Sequence, residues 1–229
     1  MRSFWDARAV ENAVFYVDTS TDYEAPDMER FLASGQQIAA QILGRVPPAG
    51  RRLAVEIGPG VGRLCLAMAE HFDEVVGIDV SEEMIRRAGD LVTDPRVRFE
   101  LGDGRTLTGI ADGSADLVYE FTVFQHIPSV TIIEGYIQEA ARVLHQGGVA
   151  AFQWNNQGSP ARWKLAAAAR IVGRRLGVRR WSDPRFSRQF LGTTVSTGRL
   201  TAALDAAGFD VVASEGAGTL FAWVWARRR

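Results

Sequence analysis

One cysteine, Cys65, in 229 residues leaves nothing from which to build a disulfide or a cysteine-rich zinc site. A lone thiol of this kind is read as a small buried apolar residue. The three histidines, His71, His126 and His145, stand apart with no thiol or carboxylate cluster at a ligand-like spacing, so no metal is expected. No run of about 18 apolar residues occurs, and Met1-Arg-Ser-Phe-Trp5 opens with polar and aromatic residues. Signal peptide and membrane span are therefore unsupported, and the expected location is the cytoplasm. A net charge of −1 gives no global pull towards nucleic acid or a membrane surface. What is present, 47% hydrophobic and 23% charged residues, suits one globular domain with a full core.

Between residues 51 and 154 short β-type runs alternate with helical stretches, as in a parallel sheet covered by crossover helices. The expected strands are Leu53 to Ile57, Glu74 to Ile78, Val97 to Leu101, Asp116 to Glu120 and Gly148 to Gln153. The expected helices are Val61 to His71, Glu82 to Leu91 behind Ser81 as N-cap, and Thr131 to Leu144, stopped by Gln146-Gly147-Gly148. Thr197 to Gly208 reads as a further helix, followed by closing strands at Val211 to Ala213 and Leu220 to Trp225. Residues 1–50 form an N-terminal extension, with a helix after Pro26 that ends near Gly44. Its aromatic stretch Phe4-Trp5…Phe15-Tyr16-Val17 suits either a lid over a ligand or plain packing. Residues 155–196 are irregular and hold nine basic residues, Arg162, Lys164, Arg170, Arg174, Arg175, Arg179, Arg180, Arg185 and Arg188, against the single acid Asp183. They read as a solvated basic face or as a substrate-recognition insertion, with Trp154, Trp163, Trp181, Phe186 and Phe190 as apolar walls and the arginines meeting an acidic group.

The chemistry-bearing run is Glu56-Ile-Gly58-Pro59-Gly60-Val-Gly62-Arg63, which leaves a buried strand and enters a helix, the place where ligands bind in such folds. Gly58 and Gly60 lack a Cβ and so allow close approach of a ligand to the backbone. A dinucleotide fingerprint wants its third glycine at the sixth position from Gly58, where Arg63 stands; the third glycine comes one residue early. Asp79, 21 residues after Gly58, ends the next strand where a carboxylate can accept from two ribose hydroxyls. Gly102-Asp103-Gly104 leaves the third strand with an acid that could accept from an adenine amino group or simply form a turn.

Together with Gly77-Ile-Asp-Val80-Ser-Glu-Glu-Met84-Ile85 and Asp116-Leu-Val-Tyr-Glu120, these motifs resemble, in order, those of the class I S-adenosylmethionine-dependent methyltransferases of small-molecule type, over roughly residues 50 to 155. The resemblance implies a doubly wound, Rossmann-like, mostly parallel seven-stranded sheet with helices on both faces, and S-adenosylmethionine as cofactor. It puts Glu56, Gly58, Pro59, Gly60 and Arg63 around the methionine part, Asp79 and Val80 at the ribose, and Met84 with Gly102, Asp103 and Gly104 at the adenine. Glu120 lies beneath the amino-acid end; Tyr16, Phe121 and Gln125 complete the cofactor set. Residues 121–126 form the floor facing the acceptor.

An activated methyl donor asks the protein mainly to align the reactants and exclude water. An oxygen or nitrogen nucleophile that must lose a proton gains from a base, for which His126 is the candidate, although it could instead hold the loop or touch the cofactor. His71 and His145 read as helix-terminal residues. The rival functions are an NAD(P)-dependent oxidoreductase and a non-catalytic cofactor-binding subunit. A nucleic-acid acceptor ranks below them: the fourth-strand exit, Glu120-Phe-Thr-Val-Phe124, lacks the Asn-Pro-Pro-aromatic signature of enzymes acting on base amino groups.

Overall fold

A computed structural model describes residues 1–157, 190 and 192–229. The basic residues named above, together with Asp183, Trp163, Trp181 and Phe186, lie outside the described residues.

The continuous apolar runs become the strands of one sheet: β1 (Leu53–Ile57), β2 (Glu74–Asp79), β3 (Val97–Leu101), β4 (Ala115–Glu120), β5 (Leu144–Trp154), β6 (Phe209–Glu215) and β7 (Ala222–Arg228). Their order is β3-β2-β1-β4-β5-β7-β6, with β1 to β5 paired in parallel and β7 antiparallel to both β5 and β6. This is the expected doubly wound seven-stranded sheet. The order reverses between β1 and β4, which opens a crevice at their carboxyl ends.

Period-two alternation sends side chains to two cores. Leu53, Val55 and Ile57 join Ile133, Ile137, Leu200 and Leu204 on one face, packed by α5 (Val130–Val143) and α6 (Thr197–Ala206). On the other face Ala54, Leu117 and Tyr119 meet Leu64 and Met68 of α3 (Arg63–Met68) and Ile42 of α2 (Met28–Arg45). Trp225 of β7 is fully buried there, and its Nε1 donates to the Ile42 carbonyl at 3.1 Å, tying α2 to the sheet. Ser81 caps α4 (Glu82–Leu91) by accepting from the Met84 amide, and Asp27 caps α2 through the Arg30 amide.

Several boundaries differ from expectation. α3 begins at Arg63 rather than Val61 because Gly62 is left-handed, and it ends at Met68. The Gly147-Gly148 pair is not the stop of α5. That helix ends at Val143, β5 starts at Leu144, and the pair sits inside the strand where β4 and β5 shift register. A glycine at φ +85 serves a bulge as readily as a helix end, so the residue type does not distinguish them. β6 and β7 are longer than read, extending to Phe209–Glu215 and Ala222–Arg228. The aromatic N-terminal stretch is a helix, α1 (Arg2–Val17), interrupted at Asn12, which takes an extended conformation.

Asp116 fixes the amino end of the crossover. Its Oδ2 accepts from the amides of Arg52 and Leu53, and its Oδ1 pairs with His145 Nε2 at 3.0 Å, so His145 is a structural partner. Asp116→Ala strands two amides and is expected to cost about 1–3 kcal/mol, read as a lower urea midpoint at unchanged slope.

Candidate active site

At the β1/β4 reversal lies an open cleft, at the place where ligands bind in doubly wound sheets. Its floor is the glycine loop. Gly58 takes φ +68, and a Cβ there would stand 2.6 Å from Val123; Gly60 takes φ +56, and a Cβ there would stand 2.5 Å from Val17. The two glycines let the loop pass between the β4 exit on one side and α1 on the other.

Of the residues named from sequence, the structure brings Tyr16, Glu56, Gly58, Pro59, Gly60, Arg63, Asp79, Val80, Met84, Phe121 and His126 to the cleft wall. Asp79 is buried at the end of β2, with Oδ2 accepting from the Gly60 amide at 3.2 Å and Oδ1 from the Ser81 amide at 2.9 Å. Burial raises its pKa above the ordinary value against the pull of those amides. Glu56 points to the α3 face, where its Oε2 accepts from the Cys65 thiol at 2.9 Å and the Tyr119 hydroxyl at 3.2 Å. Burial pushes Glu56 up to about 7, and pushes the Cys65 thiol and Tyr119 hydroxyl well up. Cys65 is thus buried as expected, and it also donates to an acid.

Gly102, Asp103, Gly104, Glu120 and Gln125 are not among the wall residues. Glu120 is fully buried, and both its oxygens are taken by backbone: Oε2 by the amides of Val123 and Phe124, Oε1 by Gln153. Burial lifts it to about 8 despite those three donors. Asp103 is exposed. Burial alone would raise it, but the Thr106 and Arg105 amides and the Thr106 hydroxyl hold it below the ordinary value while closing its own turn. Gly102 joins the site indirectly, its amide donating to the Asp79 carbonyl at 2.7 Å. Gln125 lies beside His126, with its Oε1 buried and unpartnered among the described residues.

The sequence offered the stretch with Trp5, Tyr16 and Val17 as a lid or as packing, and gave no sign of Met1 or of the polar contacts that fasten α1. Met1, Trp5, Tyr16 and Val17 line the cleft. Arg2 donates to the carbonyls of Val80 and Gly102, Asp6 accepts from the Ser81 hydroxyl, and Arg63 donates to Asp18 at 2.7 Å and to the Ser34 hydroxyl. The reading of sequence also missed Thr122, a β-branched residue at φ +63 in the wall. Such a conformation is costly and persists only where surroundings impose it. Here Gln153 Oε1 accepts from the Thr122 amide, and Glu120 holds the two amides that follow.

His126 closes a short 3-10 helix (Phe124–His126) and faces the cleft. Burial lowers its pKa to about 4, so the ring is neutral near neutral pH. Its Nδ1 is paired with the Phe190 carbonyl, which can only accept, so Nδ1 carries the proton and Nε2 is left as an acceptor.

A family model described as methyltransferase domain matches residues 55–152. That stretch runs from β1 through β5 and includes both sides of the cleft floor. The likeness is to methyltransferase domains, over residues 55–152 of the 229. Among the chain's relatives, trans-aconitate 2-methyltransferase of Methylobacterium radiotolerans is 32% identical over 143 residues, 61% of this chain and 52% of that protein. Ubiquinone biosynthesis O-methyltransferase of Xanthomonas axonopodis is 29% identical, over 62% of this chain and 59% of that protein. The chain spans about half the length of the first of these relatives. In fold it is similar to magnesium protoporphyrin IX methyltransferase of Synechocystis, solved with bound SAH, at a TM-score of 0.64 and 18% identity over 100% of this chain and 98% of that one. YcgJ of Bacillus subtilis aligns at a TM-score of 0.63 and 15% identity, over 86% and 99% of the two chains.

Because Glu56 holds its proton more tightly folded than unfolded, its contribution to stability is complete below the ordinary value of 4.5 and is lost as pH rises through about 7. Glu56→Gln keeps an acceptor for Cys65 and Tyr119 without the charge. The difference in melting temperature should move in the variant's favour between about pH 5 and pH 8. A constant difference would mean that the carboxyl titrates at its ordinary value.

Proposed function

We propose that the chain is an S-adenosylmethionine-dependent methyltransferase that passes a methyl group to an oxygen or nitrogen of a small molecule by in-line displacement. One arrangement carries this reading: the glycine floor and the buried Asp79 share a single cleft with a neutral imidazole whose Nε2 is an acceptor. The donor set fits the cofactor. Asp79 keeps lone pairs for ribose hydroxyls beyond its two amides, the Gly58 to Gly60 loop has no Cβ in the way, and Glu56 offers a carboxylate to a cationic methionine end. Met84 and Val80 line the cleft, where Met84 would offer apolar surface to the adenine and Val80 to the ribose. When bound, the cofactor supplies a methyl carbon on a sulfonium, attacked by the acceptor atom as the carbon–sulfur bond breaks and its electron pair stays on sulfur.

The protein's own part is to hold, align and dry the reactants. α1 acts as the lid: Met1 and Trp5 cover the cleft while Arg2 and Asp6 fasten the helix to the β2 and β3 exits. Thr122 and Val123 shape the floor, and Nε2 of His126 takes the acceptor proton. Glu120 and Gln125, named from sequence for the cofactor, are proposed instead as supports of the loop that carries His126. The arginines expected to meet an acidic group on the acceptor lie outside the described residues. No helix among the described residues is long and apolar enough to cross a membrane, and a cytoplasmic site of action is proposed from the single buried thiol.

Calorimetry with S-adenosylmethionine or S-adenosylhomocysteine is expected to show one site per chain, and Asp79→Ala to weaken it by about 1–3 kcal/mol, roughly ten- to a hundredfold. Binding of NAD or NADP in preference to either would overturn the reading in favour of an oxidoreductase.

A further inference from the structure

One end of the cleft is walled by rings. Trp5 meets the His126 imidazole edge-on with centroids 5.3 Å apart, and Phe190 stands 4.7 Å from His126, 6.1 Å from Trp5 and 6.4 Å from Tyr16. Among the described wall residues the one arginine is Arg63, already engaged by Asp18 and Ser34 and laid over the Phe31 ring. The wall carboxylates Glu56 and Asp79 belong to the strand exits, where backbone amides, a thiol and a phenol occupy them. Within the group of rings itself, the described wall residues hold no charged side chain. A flat, uncharged molecule finds stacking surface on several sides.

Direction comes from His126. With Nδ1–H committed to the Phe190 carbonyl, Nε2 can only accept, and its protein neighbour is the Gln125 amide at a long 3.4 Å. We infer that the acceptor is an uncharged, planar hydroxyl compound of the phenol or enol type, stacked against Trp5 and donating its hydroxyl to Nε2 of His126. The inference rests on the methyltransferase reading above and narrows its acceptor atom to oxygen. Trp5 sets specificity by shape. Gln125 is a positioning residue, holding the imidazole until the hydroxyl of the acceptor takes its place.

The test uses the full chain saturated with S-adenosylhomocysteine and reads binding by ligand-observed NMR, with 1-naphthol, 1-methoxynaphthalene and citrate as probes. Wild-type protein should bind 1-naphthol more tightly than its methyl ether and ignore citrate. Trp5→Leu should weaken 1-naphthol by about three- to tenfold, the worth of an aromatic pair, while Trp5→Phe stays within about twofold. His126→Phe should keep ring binding and erase the preference for the free hydroxyl. Citrate displacing 1-naphthol, equal binding of both naphthalenes to the wild type, or an unchanged affinity in Trp5→Leu would each overturn the inference. Failure of S-adenosylhomocysteine itself to bind would bring down the methyltransferase reading instead.

Discussion

The loop leaving β4 hangs on one buried carboxylate. Glu120 spends both oxygens on the amides of Val123, Phe124 and Gln153, and no water-facing residue could replace it at 0% exposure. A buried acid is expensive unless hydrogen bonds meet it, and here the backbone meets it three times. The return is a rigid bend: Thr122 is forced into the left-handed region, Val123 is pressed against Gly58, and His126 is delivered to the cleft. Glycine floor, strained wall and imidazole thus share one anchor.

A second constraint comes from the opposite side. α1 crosses the strand exits with long-range contacts, Arg2 to the Gly102 carbonyl and Asp6 to Ser81 at its amino end, Val17 against Gly60 and Asp18 on Arg63 at its carboxyl end. Arg63 is nearly buried, and its charge is met by Asp18 and by the Phe31 face. The helix break at Asn12 separates these two sets of attachments, so each half packs on its own part of the floor.

The sheet was largely legible in the chain because parallel strands buried on both faces are short, mainly apolar runs, as Leu53–Val55 of β1 and Leu117–Tyr119 of β4 show. The glycine loop and Asp79 were legible because their chemistry is local: residue type, spacing and position after a strand carry it. What escaped was non-local or ambiguous. Arg2 and Asp6 reach the site through contacts 75 to 100 residues away, which no local pattern encodes. Thr122 resists reading because its β-branched side chain argues for a strand, and only the surrounding hydrogen bonds make it a bend. Glu120 was read as an acid near the ligand. Its partners show that an acid at a strand exit can equally be spent on shaping backbone.

The thiol of Cys65 has a practical consequence. It is buried on α3, donates a hydrogen bond to Glu56, and is kept from ionising by burial. An alkylating reagent meets no thiolate in the closed molecule and gains one only when α3 lifts from the sheet. Since the chain has one cysteine, the rate at which a single mass adduct accumulates is a clock for the opening of the glycine floor, already installed and needing no label.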